Sequence, residues 1–93
     1  MTILYPKTDD ATFDMDYYTS THMPMVSKAL GDGNWGAMAV NDDKHVAMGW
    51  VIFKDMDTFN AGMAAHGAEI MGDVVNYTNQ QPEVIIGEIT GGS

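Results

Sequence analysis

Apolar positions in this chain fall into six runs whose period alternates between two and about 3.6 residues. Thr2-Ile3-Leu4-Tyr5-Pro6 is short and β-rich, and the polar Lys7-Thr8-Asp9-Asp10 after it reads as a loop. From about Asp14 to Leu30 the pattern is helical. Asp14 is placed to cap, Asp16 suits the positive first turn, and Phe13 can fold back as a staple. Gly31-Asp32-Gly33 stops that helix. Trp35-Gly36-Ala37-Met38-Ala39-Val40 predicts a weaker strand, and Asn41-Asp42-Asp43-Lys44 a tight turn that sends the chain back antiparallel. His45 to Phe53 is the strongest strand. Val46, Met48, Trp50 and Ile52 form one side and Ala47, Gly49, Val51 and Phe53 the other, so both faces are apolar or small and both should be covered. Asp55 or Asp57 then opens a second helix with the stripe Met56, Phe59, Met63, His66 and Ile70, closing near Gly72-Asp73. A polar loop from Asn76 to Pro82 leads into a last strand, Glu83 to Thr90, and a flexible tail, Gly91-Gly92-Ser93.

This order predicts an α+β class, the ferredoxin-like βαββαβ fold, over residues 1–90 as a single domain. Right-handed crossovers then place both helices on one face of a four-stranded antiparallel sheet. The other face stays open although the third strand is apolar on both sides. A second copy packed sheet to sheet would cover it, so a homodimer is expected. Length supports the same conclusion, because a chain of 93 residues buries only roughly two-thirds of its unfolded surface.

Charge narrows the partners. Thirteen acids against four lysines, with no arginine, give a net charge of −9. Such a chain is repelled by phosphate backbones and anionic lipid, and it lacks the fork that clamps carboxylates, so no nucleic acid and no membrane is expected and neutral ligands are favoured. With no cysteine, disulfides, thiolate metal sites and cysteine nucleophiles are excluded. Neither a signal peptide nor an apolar stretch of about twenty residues is present, which predicts a soluble cytoplasmic protein.

Candidate chemistry gathers in the first helix. Pro24 lacks the amide that would bond the Ser20 carbonyl, so the helix should kink or restart near Thr21 to Met23, with His22 at the break. Tyr18 lies four residues before His22, on the same stripe as Met25 and Val26. His22 is then a general acid or base, or else a structural histidine bonding a carbonyl freed by Pro24. Tyr18 is a donor to a developing oxyanion, or a packed core tyrosine. Tyr17 points elsewhere, to a core or interface. His66, on the stripe of the second helix, could face the same cavity as His22. Trp50, Met25, Phe59 and Tyr77 are candidate ligand-binding residues. Trp50 equally suits core or dimer packing, and Tyr77, with Asn76 and Asn79, could simply complete a loop. His22, His45 and His66 have no metal-motif spacing, so neither a metal nor a cofactor is expected.

Phe13-Asp14-Met15-Asp16-Tyr17-Tyr18 to Thr21-His22-Met23-Pro24, followed by Ala65-His66-Gly67-Ala68-Glu69-Ile70-Met71-Gly72-Asp73, Asn76-Tyr77-Thr78-Asn79 and Gln81-Pro82, resembles the EthD family of the dimeric α+β barrel superfamily. The resemblance spans both helices and the last strand; the segment Gly31 to Lys44 is shorter than is usual in that family. It implies a small molecule held in a cleft between sheet and helices of each protomer. The family takes its name from a gene accompanying a cytochrome system for ethyl tert-butyl ether degradation. Related barrels include cofactor-free monooxygenases, polyketide cyclases and dehydratases, a muconolactone isomerase and haem-binding proteins. Three readings stay open: cofactor-independent proton transfer by His22, helped by Tyr18 and His66, on a neutral hydrophobic or aromatic compound, a non-catalytic carrier of such a ligand or haem beside an oxidative pathway, or a structural dimer whose tyrosine and histidine only hold the barrel together.

Overall fold

A computed structural model describes residues 1–92; Ser93, the end of the expected tail, lies outside the described residues. Four strands form one antiparallel sheet: β1 (Thr2–Pro6), β2 (Trp35–Ala39), β3 (His45–Val51) and β4 (Glu83–Ile85), in the spatial order β2-β3-β1-β4. With the two helical stretches between them, this is the ferredoxin-like α+β arrangement.

The pleat sorts each strand into two faces. Ile3 pairs with Gly49 and Tyr5 with Ala47, and these residues, with Val51, are buried under the helices. Leu4 pairs with Met48, Thr2 with Trp50, and Met38 with Met48, on the opposite face. No helix of the described residues covers that face, and Met38, Trp50 and Ile85 are exposed there. The expected last strand is shorter than its sequence pattern. Ile85 already pairs with Thr2, so Ile86 to Thr90 run past the start of β1 with no ladder to join.

The first helical stretch changes geometry along its length. Asp14 caps α1 (Met15–Tyr17) by accepting the Tyr17 amide at 3.0 Å, and Phe13 staples onto Tyr18 with ring centroids 5.0 Å apart. A wider π-helical turn, Tyr18–His22, follows, and α2 (Met23–Ala29) restarts with Pro24 in its first turn. The sequence places the break at Thr21 to Met23; the structure begins it one turn earlier, because the ladder must adapt before the missing Pro24 amide is reached. Gly31, at φ 86°, ends α2, its amide bonding the Lys28 carbonyl while the Asp32 amide bonds that of Ser27.

α3 (Met56–Asp73) is capped by Asp55, whose carboxylate accepts the Thr58 amide at 2.8 Å, and ends in a 3₁₀ turn, Val74–Asn76. Among the described residues no helix is long and apolar enough to cross a membrane.

Candidate functional site

One polar chain links the two helical stretches to the sheet. Asp73, in the last turn of α3, takes three donors: His22 Nδ1 at 2.9 Å on Oδ2, and on Oδ1 the Tyr17 hydroxyl at 2.6 Å and Asn76 Nδ2 at 2.9 Å. From the other side of the imidazole, His22 Nε2 meets the Tyr77 hydroxyl at 3.2 Å, and Tyr77 meets the Tyr5 hydroxyl at 2.7 Å. A carboxylate only accepts, so the Nδ1 nitrogen carries the proton and Nε2 accepts from Tyr77. Tyr77 in turn accepts from Tyr5. Every proton in the chain then points toward Asp73.

Electrostatics fit that order. Burial pushes His22 below the ordinary histidine pKa, and the Asp73 carboxylate offsets this only in part, so the ring is neutral near pH 7. Burial would raise Asp73, but the hydrogen bonds from Tyr17, Asn76 and His22 outweigh it and hold the carboxyl below its usual range. An anion at a helix C-terminus also opposes the macrodipole. Three side-chain donors are what make Asp73 tolerable in that position.

The rings pack as a cluster around this chain. His22 stacks on Tyr18 at 5.6 Å and lies 4.5 Å from the Tyr77 ring, while Phe13 sits edge-on to Tyr5, Tyr18 and Tyr77. Tyr18 is fully buried with its hydroxyl over Gly49, where a Cβ would come within 2.1 Å of the oxygen. Only glycine leaves room there. Among the described buried side chains, that hydroxyl is the polar atom without a hydrogen-bond partner. An unmet buried group costs about 1–3 kcal/mol, so it marks a place where stability yields to something else.

Two clefts are near these elements. A depression of about 410 Å³ between residues 12–14 and 75–79 has Phe13, Asn76 and Tyr77 in its lining. A larger groove, about 680 Å³, lies between Ile52 to Met56 and Ile86 to Ile89. It adjoins the N-terminal end of α3, roughly 27 Å along the helix from Asp73 at 1.5 Å per residue.

Against the sequence expectations, Tyr18, His22 and Tyr77 come together. His66 does not join them. Its side chain is about half exposed with Nδ1 3.9 Å from Glu69, because the stripe of α3 is buried through Gly62 and Ile70 instead. Trp50 lies on the open face of the sheet over Gly36, Phe59 stacks on Phe53 (5.0 Å) near the N-terminal end of α3, and Met25 is partly buried against the core. Tyr17 was expected to point away, yet its hydroxyl holds Asp73; one residue along a helix is a 100° turn, which here faces the end of α3. Tyr5 and Asp73 were missed as site residues. The acid closing α3 without a basic residue in its last turn was the available signal for Asp73.

No family model and no curated protein matches the chain. Among solved structures it is similar to an EthD-like protein from Ralstonia eutropha JMP134, at 34% identity over 96% of this chain and 92% of that one, with a TM-score of 0.72. With the same fold, this identity and near-complete mutual coverage, the chain belongs to the EthD-like family.

Proposed function

We propose that the protein works as a cytoplasmic homodimer that holds a neutral hydrophobic or aromatic molecule between sheet and helices and moves a proton on it without a cofactor, as in cyclisation, isomerisation or dehydration. The observation that carries this reading is the buried His22, held by Asp73 on one nitrogen and by Tyr77 on the other. A histidine whose tautomer is fixed in this way can take a proton at Nε2, and Asp73 stabilises the imidazolium that results. Tyr77 and Tyr5 extend the path to the sheet, and Tyr18 offers a free donor to an oxygen that gains charge. In this reading Asp73 and Tyr77 take the part that was expected of His66.

The test is NMR titration of the His22 ring in wild type and His22→Ala, with and without aromatic ketones, phenols and haem, coupled to turnover assays on whatever binds. A depressed His22 pKa that moves saturably with ligand, and turnover lost in a folded His22→Ala protein, is the expected result. Saturable binding without turnover would make the site a carrier. If His22 ignores every ligand and the substitution only lowers the melting temperature, the histidine is structural and the proposal fails.

A further inference from the structure

Phe13 packs against three rings of the tyrosine cluster, with ring centroids 4.9 Å from Tyr5, 5.0 Å from Tyr18 and 5.4 Å from Tyr77, all edge-to-face. It also lines the 410 Å³ depression, so one half-buried ring borders both open space and the buried rings of Tyr5 and Tyr18. Its main chain is pinned. Phe13 bridges Thr78, the Asp14 amide donates to the Tyr77 carbonyl at 2.7 Å, and the Thr78 hydroxyl donates to the Thr12 carbonyl at 2.7 Å. The side chain is therefore the part that can move, by rotation about χ1.

The hydroxyls around it are not equivalent. Tyr5 donates to Tyr77 and Tyr77 donates to His22, whereas the Tyr18 hydroxyl, on a residue with 0% exposure, lies near enough to Tyr5 for burial and that neighbour to raise its pKa but makes no hydrogen bond of good geometry. The uncommitted group in the cluster is a donor. A ligand that completes it must bring an acceptor, and with Asp14 on the rim and a charge of −9 on the chain, a neutral one.

We infer that Phe13 is the gate of this site and that its ring holds the place of the ligand's: a single-ring aryl ketone or aldehyde enters from the depression, displaces the Phe13 ring from among Tyr5, Tyr18 and Tyr77, and accepts the Tyr18 proton. This rests on the reading above that the cluster is a ligand site, and it adds the ligand class and the way in. The aryl edge contacts made by Phe13 are remade by the incoming ring, so the exchange is nearly even in packing and the new hydrogen bond decides it.

The experiment uses the full chain with para-fluoroacetophenone as probe and fluorobenzene as its acceptor-free control, followed by fluorine and proton NMR. In wild type the ketone should bind and abolish the cross-peaks between the Phe13 and Tyr5 rings. Phe13→Ala should bind the ketone more tightly than wild type and prefer it over fluorobenzene by about tenfold, the worth of one good neutral hydrogen bond. Tyr18→Phe in that background should erase the preference. A plain hole left by a missing ring would take both probes alike, and equal binding in Phe13→Ala overturns the inference. So does ketone binding to wild type with the Phe13 to Tyr5 cross-peaks intact; if His22 still shifts in that case, the gate is wrong while the site stands. Should Phe13→Ala fail to fold, Phe13→Leu takes its place, with the same preference expected and equal binding again overturning.

Discussion

His22 and Asp73 tie stability to pH in a direction that can be worked out. His22 has a folded-state pKa below its unfolded value, so as pH falls the unfolded chain takes the proton first. Its contribution is complete above about pH 6.5 and is lost as pH falls toward the folded value. Asp73, also depressed, adds a second loss in a lower window, below its ordinary value of 3.8. The melting temperature should therefore fall as the pH drops below about 6.5, and a His22→Gln chain should show a flatter slope over the same span. Equal slopes would acquit His22. Asp73→Asn keeps the shape but weakens the acceptor for His22 and Tyr17, and should lower unfolding free energy by about 1–3 kcal/mol in denaturant titration. A smaller change than that would mean water replaces the carboxylate without loss. Tyr18→Phe should be neutral or stabilising, since it deletes a buried hydroxyl with no partner. Gly49→Ala, by contrast, pushes a Cβ against that oxygen and should cost about 1–3 kcal/mol, less in the Tyr18→Phe background. Additive effects in that cycle would mean that the hydroxyl and Gly49 do not share space.

Elements were legible where the signal was local. Asp14, the Phe13 staple, Gly31 and the break before Pro24 each act within one or two turns, and a chain read in order shows them. Asp14→Ala should accordingly cost about 1 kcal/mol and fray α1, seen as faster amide exchange at Tyr17. Unchanged exchange there would assign the helix start to the Phe13 packing alone. The polar chain was legible only in part, because Asp73 lies 51 residues from His22 and Tyr77 lies 72 from Tyr5. Hydrophobic periodicity says which face of an element is buried but not which polar atoms will meet across it. His66 shows the converse failure. The small residues of α3, Gly62 and Gly67 among them, let the buried stripe run a little to one side, so the three- and four-residue steps through Met63 and Ile70 carried a histidine that in fact faces solvent.

At the scale of the whole molecule, the unpaired face of the sheet remains to be accounted for. Leu4, Met38, Met48, Trp50 and Ile85 share it by register, and Met38, Trp50 and Ile85 are 45%, 36% and 51% exposed. Methionine and tryptophan side by side on a strand surface have little to gain from water, and an apolar sheet face of this kind marks an interaction surface. The occupant that fits without further assumption is a second copy, because a twofold contact needs only one self-complementary patch. It would also bring each copy's unpaired segment from Ile86 to Thr90 near another sheet, where its backbone groups could find partners. Met38 is the position to probe, since it is already half in solvent and a lysine there leaves the protomer's own core intact. Sedimentation equilibrium should return twice the chain mass for wild type and the chain mass for Met38→Lys, with far-ultraviolet dichroism unchanged. A wild type that sediments at the chain mass at every concentration would leave the face uncovered and remove the dimer from the account, while the relay from Asp73 to Tyr5, which lies on the other side of the sheet, would stand or fall on the His22 titration alone.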